Sequence, residues 1–212
     1  MSADATTDTL VYILDDDEEL SESLAWLLES VGIRSERFQD ARAFLRSYDR
    51  DRPACLILDV RMPELSGFDV QHLLNETGAP LPVVFVSAHG DIRMSVRAMQ
   101  NGAVDFLEKP YDPQHMLDVV QAALRTARER FERAAVEREL RAKLDSLTSR
   151  EREVLGLAVD GMANKQIAAR LGISAKTIDV HRARIREKTG AQSMATLVRD
   201  VLRLGLRPAA DR

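Results

Sequence analysis

A single cysteine, Cys55, occurs in 212 residues, which excludes a disulfide framework or a cysteine metal cluster within one chain. It lies in an apolar run and reads as a core residue. No uninterrupted apolar stretch approaches the roughly 18 residues that a membrane-spanning helix needs. Met1 to Asp8 is polar and acidic, not basic and then apolar, so no secretory leader is indicated; a cytoplasmic location without membrane attachment is expected. No GxGxxG follows the first apolar run. Three acids stand there instead and would repel a pyrophosphate, which excludes a dinucleotide-dependent oxidoreductase.

What is present suits one domain of ordinary size and one small one, with 45% hydrophobic and 30% charged residues. The net charge of -4 hides a division. Residues 1–112 hold 10 Lys and Arg against 21 Asp and Glu, residues 113–147 hold 7 against 6, and residues 148–212 hold 13 against 7. An acidic module is joined to a basic one. A basic end alone does not identify a nucleic-acid binder; the placement of its charges decides.

The acidic half alternates short apolar runs with amphipathic ones. Leu10 to Leu14 precedes Leu20, Leu24, Leu27, Leu28 and Val31 at helical spacing. Cys55 to Leu58, Val83 to Val86 and Val104 to Leu107 are further strands, with helical stretches near 40–48, 66–75 and 92–101. Five strands and five helices in alternation predict an α/β doubly wound, five-stranded parallel sheet of the flavodoxin-like kind, whose ligand chemistry gathers at the carboxyl ends of the strands.

From Pro113 a helical pattern runs to about Leu147 without an intervening Gly or Pro. At about 1.5 Å per residue it would reach roughly 50 Å, longer than the first domain requires. Val120, Leu124, Ala127, Phe131 and Ala134 recur four and three apart before the register shifts to Leu140, Leu144 and Leu147. Two readings stay open: a linker helix paired in a dimer, or a sheet-covering first half with a solvated remainder.

Asp15, Asp16 and Asp17 follow the first strand and Asp59 ends the third, so the fold brings three or four carboxylates to one edge. Such a cluster needs a neutralising partner. A hard divalent cation that keeps several waters, Mg²⁺, suits few carboxylates and a phosphate oxygen. Phosphoryl transfer needs a metal, a cation and a hydroxyl or amide donor around an in-line nucleophile. Asp59 is the candidate nucleophile, Lys109 the cation and Ser87 the hydroxyl. Taken singly, Asp15 or Asp17 could cap the first helix, and Ser87 could be a strand-end hydroxyl. His89, beside the site, has no partner spacing that supports acid–base work.

Asp15-Asp16, Leu58-Asp59-Val60-Arg61-Met62-Pro63, Ser87-Ala88 and Lys109-Pro110, in this order and spacing, resemble the receiver domains of two-component systems over residues 9–125. The resemblance implies that Asp16, Asp59 and the backbone carbonyl of Arg61 bind Mg²⁺, with Asp15 acting through a water. It further implies that Ser87 moves toward the phosphoryl group while Phe106, the switch aromatic, turns inward, and that the Lys109-Pro110 bond can be cis.

In the basic end, Thr148-Ser149-Arg150-Glu151 opens a helix that stops near Gly161. A second, Asn164 to Leu171, leads through Gly172-Ile173-Ser174 into a third from Ala175, a helix-turn-helix pattern in a trihelical end. On the third helix Ile178 and Ile185 face the core, and Lys176, Arg182, Arg184, Arg186 and Lys188 supply donors for DNA.

This segment is similar to the LuxR-type DNA-binding domain over residues 146–207, through Asn164-Lys165-Gln166-Ile167-Ala168, Leu171-Gly172-Ile173-Ser174, Lys176-Thr177-Ile178 and Val180-His181. With the receiver ahead of it, the chain resembles the NarL/FixJ response regulators, and its FixJ branch in particular. The resemblance implies domains at 8–125, 126–145 (helical linker) and 146–212. It sets Asp179, Val180 and Ala183 against base edges, with Lys165, Thr177, Arg184 and Lys188 nearer phosphates; Lys176 and Arg182 complete the DNA-binding set. Asp179 is unusual there: an acid can accept from a cytosine amino group but is repelled by phosphates, so it either narrows sequence choice or points away. His181 reads as a fold anchor or backbone contact.

The function implied is a transcriptional regulator, itself not an enzyme, that takes a phosphoryl group on Asp59 from a sensor histidine kinase, assists its own phosphorylation and dephosphorylation, dimerises and binds double-stranded promoter DNA. RNA polymerase is a further expected partner. A metal-dependent aspartyl phosphatase or nuclease would also cluster carboxylates but leaves the basic end unexplained. An interaction module without phosphorylation is opposed by the complete Asp16, Asp59, Ser87 and Lys109 set.

Overall fold

Strands form where aliphatic residues run unbroken. β1 (Leu10–Leu14), β3 (Ala54–Asp59) and β4 (Val83–Ser87) are buried at every position, as strands covered on both faces must be. β2 (Ser35–Phe38), with sequence SERF, is only partly buried, and β5 (Asp105–Glu108) is intermediate. The computed structural model describes residues 9–79, 81–88 and 90–206 and divides into two units, Met1–Arg133 and Ala134–Arg212.

In the first unit all neighbours pair in parallel, in the order β2-β1-β3-β4-β5, the flavodoxin-like winding. Each crossover helix starts on a polar cap. Asp17 caps α1 (Glu18–Ser30), Asp40 caps α2 (Ala41–Ser47), Ser66 with Asp69 forms a capping box on α3 (Gly67–Glu76), and Asp91 caps α4 (Ile92–Gln100). These side chains satisfy amides that the first helical turn leaves unbonded.

The sheet carries a core on each face. Leu10, Tyr12, Leu14, Leu56, Leu58 and Phe85 pack with Phe44 of α2, Val70 of α3 and Ala98 of α4. The alternate residues Val11, Ile13, Ile57, Val84 and Val86 pack with Leu24 and Leu28 of α1 and Met116, Val120 and Ala123 of α5 (Pro113–Asp145). Cys55 lies in this second core.

One close approach shapes the ligand edge. The Gly67 amide donates to the Val60 carbonyl at 3.0 Å. A β-carbon at Gly67 would overlap the backbone oxygen of Asp59. Only glycine allows α3 to start this near the end of β3.

Among the described residues the second unit contains four helices after α5: α6 (Ser149–Val159), α7 (Asn164–Leu171), α8 (Ala175–Thr189) and α9 (Met194–Arg203). The expectation of a trihelical end therefore stops one helix short. α9 was missed although Met194, Leu197 and Val201 recur at helical spacing, and they bury against Leu155, Ile167, Ile178 and Ile185. Gly172 ends α7 in the left-handed region at φ 65°, and Ser174 caps α8; Arg150 donates to the Leu171 carbonyl at 2.8 Å. Thr148 and Glu151 form a capping box on α6, and the buried Glu151 carboxylate also accepts from Lys188 Nζ at 2.7 Å.

Burial alone would raise the Glu151 pKa, but hydrogen bonds from Lys188 and Thr148 outweigh it and hold the carboxyl below the ordinary glutamate value of 4.5. A depressed acid stabilises the fold above its unfolded pKa and loses that contribution as pH falls through its folded value. The second unit is therefore expected to lose stability on acidification below 4.5, and Glu151→Gln should flatten that dependence while lowering neutral-pH stability by about 1–3 kcal/mol, both measurable by thermal melts across pH. Gly67→Ala should destabilise the first unit by about 1–3 kcal/mol through overpacking, read from urea unfolding.

Candidate functional site

The parallel register gathers the polar strand ends. Leu14 stands beside Leu58, Asp59 beside Val86, and Ser87 beside Glu108. Asp15, Asp59, Ser87 and Lys109 thus fall at the same carboxyl edge of the sheet, although 94 residues separate Asp15 from Lys109.

Lys109 Nζ donates to Asp15 Oδ2 and Asp59 Oδ1, each at 2.7 Å. The remaining oxygens are occupied too: Asp59 Oδ2 accepts the Arg61 amide at 2.6 Å, and Asp15 Oδ1 accepts the Asp17 amide at 3.0 Å. Asp59 is only 6% exposed and Asp15 5%. Burial pushes the Asp15 carboxyl above its usual range, against the opposing pull of Lys109. Burial works against the charge of Lys109, but its hydrogen bonds to Asp15 and Asp59 prevail and its pKa is raised. The ammonium therefore stays charged at neutral pH, and two carboxylates with one cation leave about one negative charge in a largely water-excluded site.

Asp16 and Asp17, next to Asp15 in the chain, are exposed, and Asp17 is the cap of α1, accepting the Leu20 amide at 3.1 Å. Among the described residues no three His, Cys, Asp or Glu side chains converge into a ready-made metal cage. The donors are all oxygen and carry residual negative charge, a set that fits a hard cation retaining waters.

Ser87, 2% exposed, ends β4. Phe106 is half-buried on β5, its ring 6.2 Å from that of Phe85. A β-carbon on Gly90 would lie 2.8 Å from the Phe106 ring, so the β4–α4 loop offers the aromatic a seat that only glycine leaves open. Lys109-Pro110 is cis. His89 lies outside the described residues. Cys55 is buried and desolvation lifts its thiol to about 12, so it is not a nucleophile at neutral pH.

The second unit presents α8. Ile178 and Ile185 are fully buried, while Lys176, Asp179, Val180, Ala183, Arg184 and Lys188 are exposed, and Thr177 and Arg182 half-buried. Lys165 is exposed on α7. Two of the expected DNA donors also serve the fold: Lys188 holds Glu151, and Arg182 donates to Asn164 Oδ1 at 2.6 Å. Asn164 Nδ2 in turn donates to Asp179 Oδ1 at 2.8 Å. Sequence reasoning named Asn164 only as a motif position and missed Glu151, Gly67 and Gly90 as positioning groups. An asparagine at a helix start carries no mark of a partner 15 residues away.

Comparison with known proteins identifies both parts of the chain. Residues 11–121 match the response regulator receiver domain, and residues 145–201 match the bacterial regulatory proteins of the luxR family. Response regulator protein TmoT of Ectopseudomonas mendocina is 43% identical over 93% of this chain and 90% of its own. Transcriptional regulatory protein FixJ of Azorhizobium caulinodans is 41% identical over 95% of each chain. The solved structure of the response regulator StyR superposes with a TM-score of 0.72 at 41% identity, over 92% of this chain and 99% of that one. With a receiver fold, a buried acidic site and a LuxR-type helix-turn-helix unit in one chain, this protein belongs to the NarL/FixJ-type response regulators, the DNA-binding transcriptional regulators of two-component systems.

Proposed function

We propose that Asp59 is the phosphoacceptor of a switch that controls promoter binding. The observation that carries this reading is Lys109 Nζ shared at 2.7 Å between Asp15 and Asp59 at the carboxyl edge of the sheet. Domains at 8–125, 126–145 and 146–212 give a receiver, a helical linker and a DNA-binding domain. The phosphoryl donor is a sensor histidine kinase. An Asp59 oxygen forms its bond to phosphorus as the bond to the donor's imidazole nitrogen breaks, giving an acyl phosphate. Lys109 stabilises charge on the transferring oxygens, and the Arg61 amide orients the carboxylate. Mg²⁺, held by Asp16, Asp59 and the Arg61 carbonyl with Asp15 through a water, would neutralise the phosphoryl oxygens. The same groups assist hydrolysis of the acyl phosphate, so the chain takes part in its own phosphorylation and dephosphorylation.

The signal then passes to Ser87 and Phe106. A preference of a few kcal/mol for one of two arrangements suffices to shift the population. The phosphorylated receiver pairs with a second copy, and two DNA-binding domains together grip a two-half-site operator that each alone would hold weakly. Lys165, Thr177, Arg184 and Lys188 supply the phosphate-facing set, Asp179, Val180 and Ala183 the base-facing one, and Lys176 and Arg182 complete the DNA contacts. Val180 is 46% exposed, an apolar group suited to a thymine methyl. In this reading the protein acts in the cytoplasm, on promoter DNA and with RNA polymerase. No described helix is long and apolar enough to cross a membrane.

Mass and DNA binding measured with Mg²⁺ and a small phosphoryl donor test the reading. The native chain is expected to dimerise and bind DNA more tightly, and Asp59→Asn to do neither; an equal response from both would remove Asp59 from control. Gly90→Ala fills the seat of the Phe106 ring, so it should alter the donor-induced gain in DNA binding by about tenfold, on the scale of 1–2 kcal/mol between the two states, while the rate of phosphorylation stays close to native.

A further inference from the structure

The placement of an acid on a helix that must lie against phosphates has an internal explanation. Asp179 is exposed on the first turns of α8, and its Oδ1 accepts the Asn164 amide nitrogen across the α7–α8 turn at 2.8 Å. The Asn164 carbonyl oxygen accepts Arg182 Nη1 at 2.6 Å. Both bonds fix the orientation of the Asn164 amide, because only its nitrogen can donate to a carboxylate and only its oxygen can accept from a guanidinium. Asn164 is therefore a bridge between an anion and a cation one turn apart on α8.

We infer that Asn164 is a specificity-positioning residue that holds Asp179 toward a base edge, where its second carboxylate oxygen accepts a hydrogen bond from a cytosine amino group. The inference rests on the reading of α8 as the helix in the major groove. Three features favour contact over retreat. Asp179 uses one oxygen for Asn164, and its other oxygen has no hydrogen bond among the described residues. The guanidinium of Arg182 is held on the other end of the same amide, so the phosphates meet a cation one turn from the carboxylate and not the acid alone. The bridge also restricts the Asp179 rotamers before DNA arrives, which lowers the ordering cost of contact. A carboxylate discriminates well among bases, since in the major groove cytosine presents a donor where thymine presents an acceptor.

The test is selection from a randomised duplex library by the full chain treated with Mg²⁺ and a small phosphoryl donor. Native protein, Asp179→Asn and Asn164→Ala are compared, with melting temperatures recorded for each. The native chain should demand cytosine at one position per half-site. Asp179→Asn should exchange that demand for adenine, the usual partner of an asparagine amide. Asn164→Ala should lower cytosine discrimination roughly tenfold while binding to a non-selected duplex stays near native. A cytosine preference untouched by Asp179→Asn would overturn the inference, as would a loss in Asn164→Ala that is equal for all sequences. Absence of any sequence selection by the native protein would instead remove the DNA-reading role of α8.

Discussion

Everything at the ligand edge depends on one ammonium group shared by two buried carboxylates. Lys109 stands after β5, Asp15 after β1 and Asp59 at the end of β3, so the pairing closes only when the sheet is assembled in its parallel order. Removing one partner from such a buried ion group commonly costs about 3–5 kcal/mol, because the charges left behind lack compensation. On the proposed reading, the same arrangement readies Asp59 for phosphoryl transfer. Its carboxylate is fixed by Lys109 and the Arg61 amide, and the residual negative charge invites a hard cation. Stability at this edge and its proposed reactivity have one electrostatic cause.

The sequence made much of this legible because central parallel strands are buried on both faces and read as apolar runs, each ending in a chemically distinct residue. β2 left no such run. As an edge strand with sequence SERF it is half-solvated, and nothing in composition separates it from a loop. α9 did leave a periodic signal in Met194, Leu197 and Val201, which was lost behind the more specific helix-turn-helix pattern. Gly67 and Gly90 were silent for a different reason. Their importance is the space they leave beside Asp59 and Phe106, and close approach between distant segments is a property of the packed chain only.

The second unit follows the same logic with a single carboxylate and a single ammonium. Glu151 closes the α6 capping box and anchors Lys188 of α8, so the contacts that start one helix also orient the helix proposed to meet DNA. Charge counting identified α8 as basic but could not separate cations held by the fold from those facing outward. Arg182 and Lys188 have internal acceptors, whereas Lys176 and Arg184 are exposed. The net of basic residues in this half is therefore a weaker guide to the DNA surface than the pattern of partners.

The most direct measurement of the central constraint is thermal unfolding of Lys109→Gln with and without Mg²⁺. Loss of the ammonium leaves Asp15 and Asp59 uncompensated, so the first unit should melt well below the native protein in metal-free buffer and recover much of the difference when Mg²⁺ binds the folded site. A variant that melts like the native chain, or one whose loss Mg²⁺ does not reduce, would contradict the claim that charge balance among Asp15, Asp59 and Lys109 governs this edge of the molecule.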